Sequence, residues 1–321
     1  MSRSDAPQVA LHMSYATGAA GRLLDDPATL AVIGFGRDAP LPASERALRV
    51  GLEPLGAAPW EVWRGKAPVR SGREGALAWS TDGEHLFFAV ELDEAAHGGI
   101  AGATAAAYRQ LAAFVGDSAT PHVLRLWNYF DAINLGDGDD ERYRLFCDGR
   151  ARGLATADWT HYPAATAIGR RDGVRTLQVY GLASRRPGRP LENPRQVSAW
   201  RYPRQYGPTA PVFARGMLEA GGELLISGTA AVIGHASAHP GDLDAQTVET
   251  LANIDALVDG SGSAAHGPLR LKAYVRNPAD AGRIAAAITP RLEDPADLVL
   301  LAGDICRSEL LVEVDGVRHA A

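Results

Sequence analysis

The sequence predicts an α+β protein of two similar halves, each a mixed β-sheet covered by helices on one face. Short alternating or apolar runs recur along the chain as strand signals. The stretches 99–115, 139–152, 242–258 and 277–288 read as helices. The order hairpin, helix, strand, helix appears twice, and the second copy ends in further strands. The two copies do not match residue for residue, so the repeat is one of pattern.

The first half opens with the apolar run 31–36, and residues 48–55 alternate like a strand. Residues 76–80 and 85–92 flank Asp82-Gly83, a strong hairpin signal. The Ala-rich stretch 99–115 carries Ala107, Leu111 and Phe114 at helical spacing, and 122–127 reads as a buried strand. Acids open the helix at 139–152, where they favour an N-terminus. In the second half, 223–226 and 229–233 are strand candidates. Asp242 can cap a helix whose Val248, Leu251 and Ile254 share a face. A strand at 269–275 follows, and Asn277-Pro278 suits the start of a helix through Ile288. Strands at 298–301 and 310–314 finish the chain.

Three regions result: an N-terminal half at 1–184, a connecting segment at 185–216 and a C-terminal half at 217–321. The connecting segment is rich in Arg, Pro and Tyr around Trp200-Arg201-Tyr202-Pro203-Arg204-Gln205-Tyr206-Gly207-Pro208. It reads as a surface linker or as a binding loop between the halves.

A length of 321 residues allows one large domain or two ordinary ones. Hydrophobic residues at 46% and charged residues at 22% are the profile of a soluble globular protein. A formal net charge of -6 argues against a general nucleic-acid binder. Cys147 and Cys306 form neither a zinc-type pair nor a disulfide framework, which points to a reduced, cytoplasmic compartment. The N-terminus lacks a secretory apolar region, and no stretch approaches the ~20 apolar residues of a membrane helix.

Familiar cofactor motifs are missing. Gly34-Phe35-Gly36 lacks the third glycine of a dinucleotide fingerprint, and neither a phosphate loop nor a Gly-x-Ser-x-Gly elbow occurs. His235 and His239 have metal-like spacing, but Pro240 follows at once and no acidic third ligand is evident, so no metal is expected. The acids and arginines are more informative. Glu313 lies between Val312 and Val314 in a strand pattern, so its carboxyl points away from both valines and can enter a pocket. Arg142 and Arg144 cannot both face inward from one helix. Arg215 sits beside Gly216, and a guanidinium can hold a carboxylate through two parallel hydrogen bonds. Cys306 reads most simply as a small buried hydrophobe. One candidate acid and several anion clamps suggest a small, multiply charged anionic substrate.

Several blocks in order resemble the chorismatase family over nearly the whole chain. They are the segments 30–36, 122–129 and 141–150, then 202–208, Phe213-Ala214-Arg215-Gly216, 226–230 and the C-terminal block 303–316. The chain is most similar to the branch that makes hydroxybenzoates in bacterial pigment and quinone pathways. The resemblance implies two halves related to the small trimer-forming YjgF-like domains, a YjgF/chorismate mutase-like fold, in a monomer or a homotrimer. It implies loss of the enolpyruvyl side chain of chorismate as pyruvate, without metal or organic cofactor, giving 3-hydroxybenzoate with 4-hydroxybenzoate as a second product. Hydrolysis to a dihydroxycyclohexadiene carboxylate, or metabolite binding without catalysis, are the alternatives.

By the same resemblance, Glu313 matches the family's acidic catalyst and would protonate the enol ether methylene. Burial should raise its pKa for that role. Arg142, Arg150 and Arg215 are assigned to carboxylate binding, Tyr202 and Tyr206 to hydroxyl donation, and Gly228 and Thr229 to backbone contacts. Counting back from Glu313 places at Ala302 a pocket position that is cysteine in one 3-hydroxybenzoate-forming group.

Overall fold

The computed structural model describes residues 11–157, 159, 161–262 and 265–320. Its first elements are β1 (His12–Ala16), α1 (Ala20–Asp25), β2 (Thr29–Phe35), β3 (Ala47–Val50) and β4 (Trp60–Arg64). These strands form a four-stranded sheet in the order β1-β4-β2-β3. Next come β5 (Arg70–Glu74), β6 (Leu77–Thr81), β7 (His85–Asp93), α2 (Ile100–Gly116), β8 (His122–Asp131), α3 (Arg142–Gly153), β9 (Ala164–Arg170) and β10 (Thr176–Ser184). The remainder is β11 (Arg189–Leu191), β12 (Gly216–Leu218), β13 (Leu224–Ala230), β14 (Val232–Ile233), β15 (Ala236–Ser237), α4 (Leu243–Gly260), β16 (Leu269–Val275), α5 (Ala281–Ile288), β17 (Leu298–Ala302), β18 (Asp304–Ile305) and β19 (Val312–Arg318).

The repeat predicted from pattern is a repeat of topology. In the first half the strands lie in the order β5-β6-β7-β10-β8-β9, and in the second β11-β12-β13-β19-β16-β17. Each half runs three antiparallel strands, a helix, a strand, a helix and a strand parallel to its predecessor. The last strand then returns to the middle of its sheet. The predicted hairpin forms with Thr81 opposite Leu86, and Asp82 Oδ1 accepts from the backbone N–H groups of Glu84 and His85 at 2.9 and 2.6 Å. Asp242 caps α4 by accepting from Ala245 N–H at 3.0 Å.

Three features differ from the sequence-based expectation. Residues 11–64 form a sheet of their own ahead of the first repeat, where only isolated strands were expected. Strands β9 and β10 were not anticipated. Strand β11 lies inside the segment 185–216 and pairs with β12 at the edge of the second sheet.

Each large sheet buries one face under its helices. Phe88, Val90, Leu126, Phe130 and Val179 pack with α2 and α3, while Leu271, Ala273, Val312 and Val314 pack with α4 and α5. Gly149 lets α3 approach α2 closely, because a Cβ there would lie 2.8 Å from Thr104 Cβ. The opposite faces of both sheets meet the N-terminal sheet in one core containing Trp63, Trp127, Tyr129, Tyr180, Leu225 and Tyr274. Among the described residues no helix is long and apolar enough to cross a membrane.

Candidate active site

Alternation along β19 decides which side chains face which layer. Val312 and Val314 enter the helix-covered core, so Glu313 and Asp315 project toward the inter-sheet side. Opposite Asp315 the neighbouring strand carries one extra residue. Ile226 pairs with Gly316 and Thr229 with Val314, so Ser227 and Gly228 together face one residue. This β-bulge breaks the ladder beside Glu313. Ser227 Oγ accepts from Ala165 N–H at 2.9 Å and donates to Ala214 carbonyl at 2.6 Å, which pins the bulge to the first half. Gly228 then borders the carboxyl directly. A Cβ there would overlap Glu313 Oε1 and lie 3.1 Å from Thr166 Oγ1.

The segment between β17 and β19 completes the site. Strand β18 leaves the second sheet and pairs with β9 at the edge of the first. Arg276 holds the segment after it by donating to the carbonyls of Leu310, Ile305 and Arg307 at 2.7, 2.9 and 3.0 Å. Cys306 and Arg307 are thereby brought to the wall of a cavity of about 400 Å³ that also contains Glu313, Gly228, Arg215, Tyr202 and Tyr206. A recess of about 40 Å³ continues past Glu313 to Thr166 and Arg150.

Glu313 is 5% exposed, and among the described residues no hydrogen bond or ion pair reaches its carboxyl. Burial, reinforced by the negative charge of Asp315, pushes its pKa up to about 8 against the pull of Arg125, Arg215 and Arg276. It is therefore a neutral acid near pH 7. Burial, with Glu313 as the next cause, pushes the Cys306 thiol up to about 12, so that wall is an uncharged thiol.

The arginines divide by partner. Arg215 donates to Val197 carbonyl at 2.9 Å and Tyr202 hydroxyl at 2.6 Å. Arg307 donates to His235 carbonyl and Ser237 Oγ, and lies 3.9 Å from the Tyr206 ring centroid. Arg150 is 3% exposed, stacks on Phe146 and hydrogen-bonds Tyr108. None of these three has an acidic partner within salt-bridge distance among the described residues. Their charges face a cavity whose buried acid, Glu313, is neutral and whose other acids, Glu141 and Glu309, are engaged by Arg144 and Ser237, an arrangement that attracts anions.

Six of the nine predicted site residues line the cavity or its recess: Glu313, Arg150, Arg215, Tyr202, Tyr206 and Gly228. The structure moves the other three away. Arg142 turns to the far side of α3, where it pairs with Glu94 at 2.7 Å and donates to Asp131 carbonyl. Arg144, two residues on, faces the cavity instead and is paired with Glu141 at 3.1 Å. Thr229 points its hydroxyl back to Ser227 carbonyl, because the bulge gives the cavity position to Gly228. Ala302 pairs with Val275 and donates its N–H to Glu53 carbonyl, outside the cavity. The cysteine at the cavity wall is Cys306, seven residues before Glu313, because Ala302 is still paired in the second sheet while β18 crosses to β9 and carries the residue after it to the cavity.

Arg307 and Arg144 were not singled out as binders, although alternate helix faces already allowed Arg144. His235 meets Tyr206 at 3.4 Å and His239 lies 3.6 Å from Glu249, so the metal-like pair does not converge. Among the described residues no group of three or more His, Cys, Asp or Glu could hold a metal ion.

Residues 61–183 match the family model described as Chorismatase FkbO/Hyg5-like, N-terminal. A 3-hydroxybenzoate synthase from Streptomyces hygroscopicus is 38% identical over 277 residues, 80% of each chain. A chorismatase from Streptomyces rapamycinicus is 36% identical over 275 residues, 80% of this chain and 81% of the relative. The crystal structure of a chorismatase superposes with a TM-score of 0.85 at 32% identity, covering 97% of this chain and 98% of that one.

Proposed function

The chain belongs to the chorismatase family, and from that premise we propose that it splits chorismate into pyruvate and 3-hydroxybenzoate with Glu313 as general acid. The observation that carries this reading is the buried carboxyl of Glu313, without a hydrogen-bond partner among the described residues, in a cavity where Arg215 and Arg307 have no acidic partner among those residues. Chorismate brings two carboxylates to those groups. Arg215 and Arg307 take one at the outer wall, with Tyr202 and Tyr206 as neighbouring hydroxyl donors. Arg150 lies deeper, where an anion entering the recess meets it.

Glu313 delivers its proton to the terminal methylene carbon of the enol ether, making a methyl group. The electron pair of the double bond forms the new C–H bond and leaves an oxocarbenium ion next to the ether oxygen. That cation stands beside the carboxylate Glu313 has become, which lowers the cost of forming it. Capture by water and collapse would yield pyruvate and a dihydroxycyclohexadiene carboxylate, consuming one water. Capture by a ring hydroxyl leads to pyruvate and a hydroxybenzoate, whose atoms together equal those of chorismate. The aromatising route therefore needs water kept from the cation, and a burial of 95% around the acid suits that need. The resemblance attached a pocket cysteine to one group forming 3-hydroxybenzoate, and Cys306 occupies such a wall. Both halves and the connecting segment of one chain supply the cavity, so a monomer suffices.

The test is to mix purified protein with chorismate, follow pyruvate and resolve the ring product by chromatography. Pyruvate with 3-hydroxybenzoate, alone or with some 4-hydroxybenzoate, is the expected result. Pyruvate with the non-aromatic diene moves the chain to the hydrolysing branch, and no pyruvate overturns the reading.

A further inference from the structure

Asp315 does not line the cavity, yet it is the most densely bonded acid beneath it. Its Oδ2 accepts from Tyr274 hydroxyl at 2.8 Å, Thr166 Oγ1 at 2.9 Å, Trp127 Nε1 at 3.0 Å and Arg125 Nη2 at 3.1 Å. Its Oδ1 lies 3.8 Å from Lys272 Nζ. It is 1% exposed, with all of these donors turned toward its carboxylate. Strand periodicity puts it on the same face as Glu313, two residues away.

Thr166 lies beside both acids and bonds one of them. Its hydroxyl hydrogen is committed to Asp315, and its oxygen accepts from Arg125 Nη2 at 2.5 Å. It also borders the recess occupied by Glu313. A hydroxyl in that state has no hydrogen to give to Glu313 and can only accept one. Arg125 is tied to Asp315, Thr166 and Leu126 carbonyl and stacked 4.3 Å from the Trp127 centroid, so it cannot swing over to pair with Glu313.

We propose that Asp315 is a positioning residue for the reaction: a fixed buried anion that, through the Thr166–Arg125 clamp, keeps the proton on Glu313 until substrate takes it. The proposal rests on the general-acid reading of Glu313. Other groups act on the same carboxyl from every side. Arg125 from the first half, then Arg215 and Arg276 from the second, favour the anion and oppose Asp315. From the first half, Arg150 and Tyr143 on α3 share its recess, as does Cys306 after β18. Behind Asp315, Lys272 is shared with Glu61 at 2.6 Å, so its charge is largely spent on that pair.

The test compares wild type, Asp315→Asn and Glu313→Gln. The readouts are the pH profile of kcat for pyruvate release and the infrared C=O band of a protonated carboxyl that is missing in Glu313→Gln. In Asp315→Asn both the alkaline limb of kcat and the titration of that band should move down by ~1–2 pH units, the size of one like charge about 7 Å away, two residues along a strand, in a medium of effective dielectric near 20. A merely structural role would lower activity at all pH values and leave limb and band in place. That result, with Glu313→Gln inactive, overturns this proposal alone. Activity retained by Glu313→Gln overturns the general-acid reading and this proposal with it. Should Asp315→Asn not fold, the Asp315→Asn/Lys272→Gln variant removes the same anion together with the cation 3.8 Å from it, so a smaller downward shift is expected, and an unmoved or raised limb and band overturn the proposal.

Discussion

At the scale of single residues, the proposed chemistry depends on one proton and on the space around it. A general acid works only while protonated, and Glu313 is raised by burial to about 8. Activity should therefore hold as pH rises toward neutrality and fall above roughly pH 8. Glu313→Gln keeps the shape and loses the proton, and should lower kcat by about 10²–10⁴-fold with a small change in KM. Steady-state pyruvate release across pH checks both statements. Gly228→Ala tests the space. Its methyl group would occupy the position of Glu313 Oε1, so the carboxyl must rotate or the bulge must move. A loss of kcat of about 100-fold or more, with an unfolding midpoint close to wild type, is the expected outcome. Strand alternation turned the Glu313 carboxyl away from its two flanking valines, toward a pocket or toward solvent alike, and only the family resemblance singled it out as the acid. Arg142 and Arg144 were legible only as alternatives. The choice was made by Glu94, a buried acid 48 residues away that claims Arg142. Cys306 was hidden because counting along a strand cannot foresee the two-residue excursion of β18 to another sheet.

At the scale of elements, the turns that open the middle strands of the two repeats clasp each other. His85 begins β7 and lies 3.3 Å from Glu219, in the turn between β12 and β13, and 3.8 Å from Asp82. Burial disfavours its charge, but the hydrogen bonds and charges of Asp82 and Glu219 prevail and raise its pKa to about 9 from 6.5. A raised folded-state pKa adds stability that is full below about pH 6.5 and lost as pH rises through about 9. His85→Gln should therefore cost on the order of 2–3 kcal/mol at pH 6.5 and much less at pH 9.5, as read from urea denaturation at the two pH values. Equal costs at both would mean the imidazole is neutral throughout. The hairpin carrying this histidine was legible because Asp-Gly between apolar runs has few other uses. Strand β5 was not, since Arg70–Glu74 is an exposed edge with no apolar face to set a period. The candidates 223–226 and 229–233 were split at Ser227-Gly228, which the structure explains as a bulge within β13 rather than a turn.

At the scale of the whole molecule, three sheets share one interior, and the charges inside it hold them in register. Glu61 on β4 accepts from Lys272 on β16 at 2.6 Å and from Trp63 Nε1 at 2.8 Å, and Lys272 approaches Asp315 on β19. Arg125 on β8 reaches the same aspartate from the first repeat. The four groups therefore form one chain, Glu61–Lys272–Asp315–Arg125, that touches all three large sheets and ends beneath the acid of the cavity. Two acids balance two bases, which is why the chain tolerates burial. Its origin in the sequence was invisible, because Glu61 and Lys272 are 211 residues apart and each reads alone as an ordinary strand charge. The arrangement makes an asymmetric prediction. Glu61→Leu strands a buried ammonium and should destabilise by about 3–5 kcal/mol. Adding Lys272→Met removes the stranded charge and should recover part of that loss, leaving Asp315 held by Arg125, Thr166, Trp127 and Tyr274. Chemical denaturation of the two variants measures both steps. A single variant within about 1 kcal/mol of wild type would mean water reaches Lys272, and the N-terminal sheet would then be a cover rather than the third wall of the core.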